Sequence, residues 1–428
     1  MKRLLILLAA PVLIGCDTAG VAPQAEKTET RKDRPVPKPT VADPPSSSAI
    51  GYDFGLTNDK GFTRSEAPMK AVGDGLITGF HLTGEIGIYE KTGEDPALVK
   101  NSTESFGFSF AEVGGKYLVG APYSEKGKVF VLSKDGQIEK TLTCDNCRRF
   151  GYSITAKSGA VAIGAPGNVS GDGTGDVFVY DRNLEREFRL TSNRRYTKLG
   201  IRTGFGRFGG DLKLIVNSKF YPGPGSGDSK GAVWILPTSL NGTNDVASAH
   251  EKKFVGKNQG DELSAFSTGD FDGDGDTDLA LGSRKFNYDT FRSNNYMGKV
   301  YVVYDPMTSS LESGSAIVPY KRSSDESNIG TLASGRFGQS LASGDPNRDG
   351  TDDLLIGAHE QGDGRAYLVL APFEETVQWN GFDKEFRPPQ SENKHFGRAL
   401  TFVGGDVAIG DPAFSNSQRY GRIFFFNK

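Results

Sequence analysis

The chain has 428 residues, a formal net charge of −3 and 56 glycines, about 13% of the sequence against a usual share of about 7%. The near-neutral charge argues against a general nucleic-acid-binding protein, which would carry a strongly basic face, and four histidines argue against a multi-histidine metal site. The excess of glycine, with 28 Phe and 15 Tyr, predicts many short strands joined by tight turns. No apolar pattern of helical period is long enough to predict a helix in the body of the chain.

Residues 1–15 have the pattern of a secretory signal peptide. Lys2 and Arg3 precede an apolar run over residues 4–14, which is too short to span a bilayer as a helix. The end of this run, Leu-Ile-Gly followed by Cys16, resembles the lipobox of bacterial lipoproteins. The resemblance implies that Cys16 is lipidated and becomes the first mature residue. We therefore expect a lipid-anchored protein of the bacterial cell envelope, on the inner membrane, the outer membrane or the cell surface.

Residues 16–49 are predicted to form a disordered tether behind the lipidated cysteine. They hold Pro, Thr, Ser and balanced charges with almost no large apolar side chains, so they cannot bury enough surface to offset the entropy of ordering. The Pro-rich part, residues 35–45, should be extended and semi-stiff. Such a segment would hold a domain away from the membrane.

Residues 50–428 contain seven copies of one unit. A Phe-Gly pair is followed 14 residues later by a Gly-Ala-Pro or Gly-Asp-Pro segment at 106→120, 150→164 and 396→410, and then by a Gly that opens an apolar strand. Further copies start at Leu199, Leu263 and Phe337, and a weaker first copy contains Gly75 and Gly84. These 379 residues give about 54 per unit, which is enough for four strands and their turns. In the second unit we expect strands A to D at residues 107–110, 116–120, 128–132 and 138–142.

This pattern resembles the FG-GAP repeats of integrin alpha-chain N-terminal domains and their bacterial relatives. The resemblance implies an all-β fold, a seven-bladed β-propeller in which each blade is a four-stranded antiparallel sheet. The last unit has strands A to C and no strand D, while residues 50–56 precede the first unit without a partner. We expect residues 50–56 to close the ring as the outer strand of the last blade, paired with Ile423–Phe426.

Units five and six have longer A–B connections, and the added residues are acidic. The distance from the first residue of the Phe-Gly pair, or its equivalent, to the Gly of Gly-Ala-Pro is 19 residues at 263→282 and 20 at 337→357. Oxygen-bearing side chains alternate along each loop, with Gly at position 6 and a carbonyl available at position 7, as a calcium ion requires. The predicted ligands are Asp270, Asp272, Asp274, Asp276 and Asp278 in one loop, and Asp345, Asn347, Asp349, Thr351 and Asp353 in the other. Asp352 lies off this register and is expected to face solvent.

Two calcium sites are therefore predicted, and each loop runs into a strand rather than into the helix of an EF-hand. The alternative is a solvated acidic turn, which the repulsion among four or five carboxylates disfavours. We expect the ions to be structural, since no nucleophile or general base stands near them in the sequence.

Other motifs lack the context that their chemistry needs. Residues 204–209 match G-x-G-x-x-G but lead into a strand, and residues 227–231 match G-x-S-x-G in a Gly/Pro-rich loop. The four histidines fall in separate units and are expected to be surface or packing residues. Cys144 and Cys147 are expected to form a local disulfide, since a thioredoxin-like role would place them at a helix N-terminus and a zinc site would need a second pair.

The B–C connections of units four and five are the longest, and they carry aromatic residues among Lys, Arg and Asn. Their distances from the Gly of Gly-Ala-Pro, or its equivalent, to the Gly opening strand C are 14 (217→231) and 16 (282→298) residues, against 7 in units two and six. Aromatic side chains among polar ones are typical of recognition surfaces, although they could equally pack on each other to hold the loops. The candidate ligand-binding residues are Tyr221, Phe286, Tyr288, Phe291 and Tyr296.

Three functions are compatible with these features. The first is a non-enzymatic binding or adhesion module for a protein or glycan, and the sequence favours it because no catalytic constellation is recognisable. The second is a polysaccharide hydrolase or lyase, which would need two converging carboxylates outside the metal loops. The third is a structural component of an envelope assembly.

Overall fold

The computed structural model describes residues 40–41, 69–72, 75–80, 84–90, 97–167, 173–195, 197–222, 229–257, 261–286, 297–319, 335–373, 375–378, 381–388, 395–411 and 422–426. The predicted signal peptide, Cys16, most of the tether and the closing strand at residues 50–56 lie outside these ranges. Among the described residues, no helix is both long enough and apolar enough to cross a membrane.

The described strands form seven sheets, one for each repeat, and each is a blade of a seven-bladed β-propeller. Blades 1 to 6 have antiparallel strands A to D in chain order, and blade 7 has strands A to C. The bounds of the strands, blade by blade, are Met69–Val72, Gly75–Phe80, Glu85–Tyr89 and Ala97–Lys100; Ser109–Val113, Lys116–Ala121, Lys128–Leu132 and Ile138–Thr143; Ser153–Lys157, Ala160–Ala165, Asp176–Tyr180 and Arg186–Thr191; Leu199–Phe208, Asp211–Ser218, Ala232–Pro237 and Lys252–Val255; Leu263–Gly269, Asp278–Ser283, Lys299–Val303 and Ser315–Val318; Ser340–Gly344, Asp353–Gly357, Ala366–Val369 and Lys384–Phe386; and Ala399–Val403, Asp406–Asp411 and Arg422–Phe426.

The A strands form the inner wall of the ring. Each A strand contacts the A strand of the next blade, and the A strand of blade 7 contacts that of blade 1. The apolar core fills the spaces between adjacent blades. Leu76 and Tyr89 of blade 1 share one buried cluster with Val403, Ala408 and Ile423 of blade 7, so side-chain packing is continuous around the ring.

The repeated Phe-Gly pair joins neighbouring blades. Phe150 is fully buried against Phe178 of its own blade, and its amide donates to the carbonyl of Lys126 in the preceding blade. Gly151 has φ +87°, and a Cβ on Gly120 would lie 2.2 Å from the Gly151 carbonyl oxygen. The same close approach joins Gly79 to Gly107, Gly164 to Gly200, Gly282 to Gly338 and Gly357 to Gly397. Both glycines of the repeat are thus required by backbone contact between blades.

The predicted start of strand A in blade 2 is wrong by two residues. The strand was expected from residue 107, but it begins at Ser109. The amides of Gly107 and Phe108 both donate to the carbonyl of Gly120 at 3.1 and 3.0 Å, and Gly107 has φ +89°. This turn takes up Gly107 and Phe108, so regular pairing of strand A with strand B begins only at Ser109. Strands B, C and D agree with expectation to within one residue.

Within the described part of the chain, three blades have a fifth, outermost strand that pairs in parallel, whereas four strands per blade were expected. Gly242–Asp245 pairs with blade 3 and Thr376–Gln378 with blade 5, and both come from the C–D connection of the following unit. Thr40–Val41 pairs with Lys384–Glu385 of blade 6. The unit-four connection also contains the short helix Val246–Ala249. These added strands cover blade edges that would otherwise expose unpaired backbone groups.

Candidate calcium centre

The A–B loop of blade 5 is shaped by hydrogen bonds from its own backbone to its first carboxylate. The amides of Gly273 and Gly275 donate to the two carboxylate oxygens of Asp270 at 2.7 and 2.9 Å. Both glycines have left-handed φ angles, +80° and +90°, which allow the chain to curl around Asp270. The amide of Asp276 donates to Asp274 Oδ1 at 2.8 Å and tightens the end of the curl.

Three carboxylates of this loop converge. Asp270, Asp272 and Asp278 each offer an oxygen, and these oxygens all lie within 4.8 Å of one another. Asp278 is buried, and its Oδ2 and Oδ1 accept from the amides of Phe271 (2.8 Å) and Asp305 (3.3 Å). Burial, reinforced by the charge of Asp272, raises the pKa of Asp278 to about 7. A divalent cation would offset both the burial and the repulsion, so these residues fit calcium.

The predicted ligands Asp274 and Asp276 lie outside this three-residue group. Asp274 is exposed and accepts a hydrogen bond from the Asp276 amide. Asp276 is half-buried at position 7 of the loop, where the expected ligand is the main-chain carbonyl rather than the side chain. The structure therefore brings three of the five predicted aspartates together through their side chains.

The A–B loop of blade 6 repeats this arrangement with different residues. The amides of Asp349 and Gly350 donate to Asp345 Oδ1 and Oδ2 at 3.1 and 3.0 Å. Asn347 Nδ2 donates to Asp349 Oδ2 at 2.8 Å, and the Thr351 hydroxyl donates to Asp349 Oδ1. The four side chains thus form one polar network on the loop.

Asp353 closes the second loop and carries an unsatisfied oxygen. It is 0% exposed; Oδ1 accepts from the Ala371 amide at 2.8 Å, whereas Oδ2 has no hydrogen-bond partner in the described ranges. Burial, with Asp349 and Asp345 adding to it, raises the pKa of Asp353 to about 8. A buried carboxylate oxygen without a donor is costly, and a cation at this position would satisfy it. The second loop therefore also fits calcium.

The two loops are hydrogen-bonded to each other through Asp352. The Asp270 amide donates to Asp352 Oδ2 at 3.0 Å, and the Asp352 amide donates to the Asp270 carbonyl at 2.7 Å. The expectation that Asp352 faces solvent is wrong. Because adjacent blades bring their A–B loops side by side, the residue that points away from its own loop reaches the neighbouring loop.

The predicted ligand-binding residues fall partly within the described chain. The ring of Tyr221 packs edge-on against Trp234 with the ring centroids 5.2 Å apart, and Lys253 Nζ lies 5.4 Å from the centroid of the Tyr221 ring. Phe286 is half-buried, with Lys299 Nζ 5.4 Å from its ring. Tyr288, Phe291 and Tyr296 lie outside the described residues.

The remaining sequence motifs have clear positions. Gly204 and Gly206 lie in strand A of blade 4, so no helix follows the glycine motif. The structure pairs Cys144 with Cys147 in a disulfide, and Cys147 packs in the core between blades 2 and 3.

Two of the histidines are neighbours, which the sequence analysis missed. His359 and His395 come from adjacent blades, and their ring centroids are 5.8 Å apart. Burial, with the nearby charges of Arg398, His395 and Arg336 adding to it, lowers the pKa of His359 to about 2. The signal available in the sequence was that Arg or His flanks the Phe-Gly pair in two consecutive units, at Arg336 and His395.

Comparisons with known proteins agree with the repeat and the fold. The family model for the FG-GAP repeat matches residues 263–303 and 337–369, which are blades 5 and 6 with their acidic loops. Integrin alpha-PS2 of Drosophila melanogaster is 29% identical over 205 residues, 43% of this chain and 12% of its own length. The match thus spans about one eighth of that relative. A solved structure titled "Structure of U3-55K" has a TM-score of 0.52 at 10% identity, covering 85% of this chain and 96% of the other, and this likeness concerns the fold alone. The chain carries FG-GAP repeats and folds as an integrin-alpha-like seven-bladed β-propeller.

Proposed function

We propose that this protein is a calcium-stabilised, non-enzymatic binding or adhesion module of the bacterial cell envelope. A lipid on Cys16 would anchor it to a membrane, and the propeller would engage a protein or glycan. The observation that carries this proposal is the placement of both acidic loops at the same end of blades 5 and 6. That end is a fixed part of the scaffold, so the variable B–C loops at the other end are the elements available for recognition.

Two calcium ions would pin the A–B hairpins of these blades. The first ion would be held by the side chains of Asp270, Asp272, Asp274 and Asp278 and by the main-chain carbonyl of Asp276. The second would be held by Asp345, Asn347, Asp349, Thr351 and Asp353. The ion supplies charge neutralisation there. The unsatisfied Asp353 oxygen and the raised pKa of Asp278 support this assignment. Elemental analysis of protein purified in millimolar calcium should give two ions per chain, and Asp274→Ala and Asp349→Ala should each remove one.

The ligand surface is assigned to the long B–C loops of blades 4 and 5. Strand B ends and strand C begins at the edge opposite the A–B loops, so these loops occupy the face away from calcium. Tyr221 is held edge-on by Trp234, which reduces the entropy lost when its exposed part contacts a ligand. Tyr288 and Phe291 lie in the longer of the two loops and are the residues best suited to a test by substitution.

A pull-down from detergent-solubilised envelope tests the proposal. The full chain should capture a protein or glycan, and a Tyr288→Ala/Phe291→Ala double variant should lose it while keeping its calcium-dependent melting. The matched control is a Leu98→Ala/Ile138→Ala double variant, whose two sites are 55% and 45% exposed on the outer strands of blades 1 and 2. That control should bind normally. Retained binding by the Tyr288→Ala/Phe291→Ala variant would place the ligand surface elsewhere. If the wild-type protein shortens an added envelope polysaccharide, the protein is an enzyme and the proposed binding function is wrong.

The anchor requires a separate experiment. Cells fed a labelled fatty acid should incorporate it into the wild-type protein and not into Cys16→Ser, and the variant should leave the membrane fraction. Unchanged membrane association of an unlabelled Cys16→Ser protein would contradict the lipid anchor.

A further inference from the structure

A group of basic side chains lies between blades 5, 6 and 7. Arg284 and His359 follow the B strands of blades 5 and 6, and Arg336, His395 and Arg398 flank the Phe-Gly pairs that precede the A strands of blades 6 and 7. We call these five residues the cationic cluster. Since strand B ends at the edge where strand A begins, the cationic cluster lies on the face opposite the acidic loops, near the inner wall of the ring.

Nearby carboxylates neutralise only part of this charge. Glu262 is buried and pairs with Arg284 at 2.8 Å and with Lys285 at 2.5 Å. Glu360 pairs with Arg336 at 2.8 Å. The side chain of Arg398 has neither a hydrogen bond nor an ion pair in the part of the chain that the structure describes, and its Nε is buried. One guanidinium of the cationic cluster is therefore without a counter-charge among the described residues.

His359 is the second group with an unsatisfied nitrogen among the described residues. Its side chain is 1% exposed, Nδ1 has no hydrogen-bond partner among the described residues, and Nε2 lies 3.8 Å from Glu360 Oε1. Burial and the charges of Arg398, His395 and Arg336 hold its pKa far below the usual value, so the ring is neutral and surrounded by positive charge. Buried polar atoms normally have partners, and the unsatisfied nitrogens of His359 and of Arg398, whose charge acts on the His359 ring, indicate a missing acceptor.

An oxyanion supplies what both groups lack. A guanidinium donates to carboxylate or tetrahedral oxyanions in a fixed fork, and a neutral imidazole donates one further hydrogen bond in its Nδ1-protonated tautomer. The positive surface also extends toward blade 4, where Arg202 donates to the Gln339 carbonyl at 3.3 Å and Arg284 donates to the Gln339 side chain at 3.4 Å.

We propose that the cationic cluster is a binding site for an oxyanion group, a carboxylate or a sulfate- or phosphate-like group, which Arg398 holds by its guanidinium and His359 by Nδ1. This deepens the proposed function, on which it rests for its biological use, by assigning an anionic group to the ligand. The site itself can be measured with small anions, without any macromolecular ligand.

The four histidines of the chain make nuclear magnetic resonance a direct test. The full chain, labelled with ¹⁵N only at histidine and kept in calcium, is titrated with sodium sulfate and separately with sodium acetate at constant ionic strength. The signals of His359 and His395 should shift saturably with one or both anions, while that of His250, which packs on Trp234 in blade 4, stays in place. The two anions distinguish a tetrahedral group from a carboxylate.

Arg398→Gln should weaken anion binding at least tenfold. Arg148→Gln is the matched control, since Arg148 is exposed and precedes the Phe-Gly pair of blade 3, and it should leave the titration unchanged. If Arg398→Gln does not fold, Arg398→Lys keeps the charge without the fork and should bind more weakly than the wild type. Absence of saturable shifts with either anion, or wild-type affinity in the Arg398 variants, overturns the site. A failed pull-down with normal anion titration would instead reject only the proposed ligand-binding function.

Discussion

In the absence of calcium, the free energy of unfolding of the protein should fall as pH rises from 5 to 7. In the calcium-free folded protein the pKa of Asp353 is raised from 3.8 to about 8, chiefly by burial. The folded state therefore keeps a proton that the unfolded state releases above about pH 4, so the stabilisation present at low pH is lost as pH rises. Calcium binds the ionised carboxylate and should reverse this trend.

The size of the effect follows from the difference between the two pKa values. Each pH unit between them changes the free energy of unfolding by about 1.4 kcal/mol, so Asp353 alone contributes about 3 kcal/mol between pH 5 and 7. For a ring of this length that corresponds to a fall in melting temperature of about 4 °C. Asp278, with a pKa of about 7, acts in the same direction over the same interval.

Thermal melts followed by circular dichroism at pH 5, 6 and 7, with and without calcium, measure this slope. Asp353→Asn keeps an acceptor for the Ala371 amide and removes the titrating group, so its calcium-free melting temperature should depend less on pH. Asp145→Asn, at an exposed position, is the matched control and should behave as the wild type. A calcium-free wild type whose melting temperature is flat or rises from pH 5 to 7, or an Asp353→Asn slope equal to that of the wild type, would refute the reasoning.

Three further predictions concern the ring and its loops. Gly282→Ala should lower the free energy of unfolding by more than about 3 kcal/mol, because its Cβ would lie 1.9 Å from a carbonyl oxygen of the next blade. The control Gly210→Ala should cost only about 1 kcal/mol in the same melts, because Gly210 has φ +85° and its Cβ would meet no heavy atom within 4 Å. Asp352→Ala should weaken calcium binding at both acidic loops in calorimetric titrations, since it joins them, and an effect confined to one loop would contradict that role. Deleting residues 50–57 should lower the melting temperature of the whole ring, whereas deleting residues 20–38, which leaves the edge strand Thr40–Val41 in place, should not, and equal effects would reject the predicted closing strand.

The repeat could be predicted from the sequence because its signals are local. A Phe-Gly pair, a Gly-Ala-Pro segment and short β-branched strands recur at a fixed spacing, and the spacing alone separated the two acidic connections from the plain ones. The alternation of oxygen-bearing residues with glycine at position 6 depends on nine consecutive residues. For that reason the seven blades and the position of the acidic A–B loops were predicted correctly.

Contacts between blades were decided by the tertiary structure, because they join residues far apart in the chain. Asp352 reaches Asp270 across 82 residues, and His359 meets His395 only because blades 6 and 7 are adjacent. Two of the three fifth strands arise from the same cause, since in each case a C–D connection covers the edge of the preceding blade. Spacing within one repeat determines what that repeat forms. Which side chains then share charge, burial or a hydrogen bond depends on how closely the blades pack, and the glycine contacts between them set that distance.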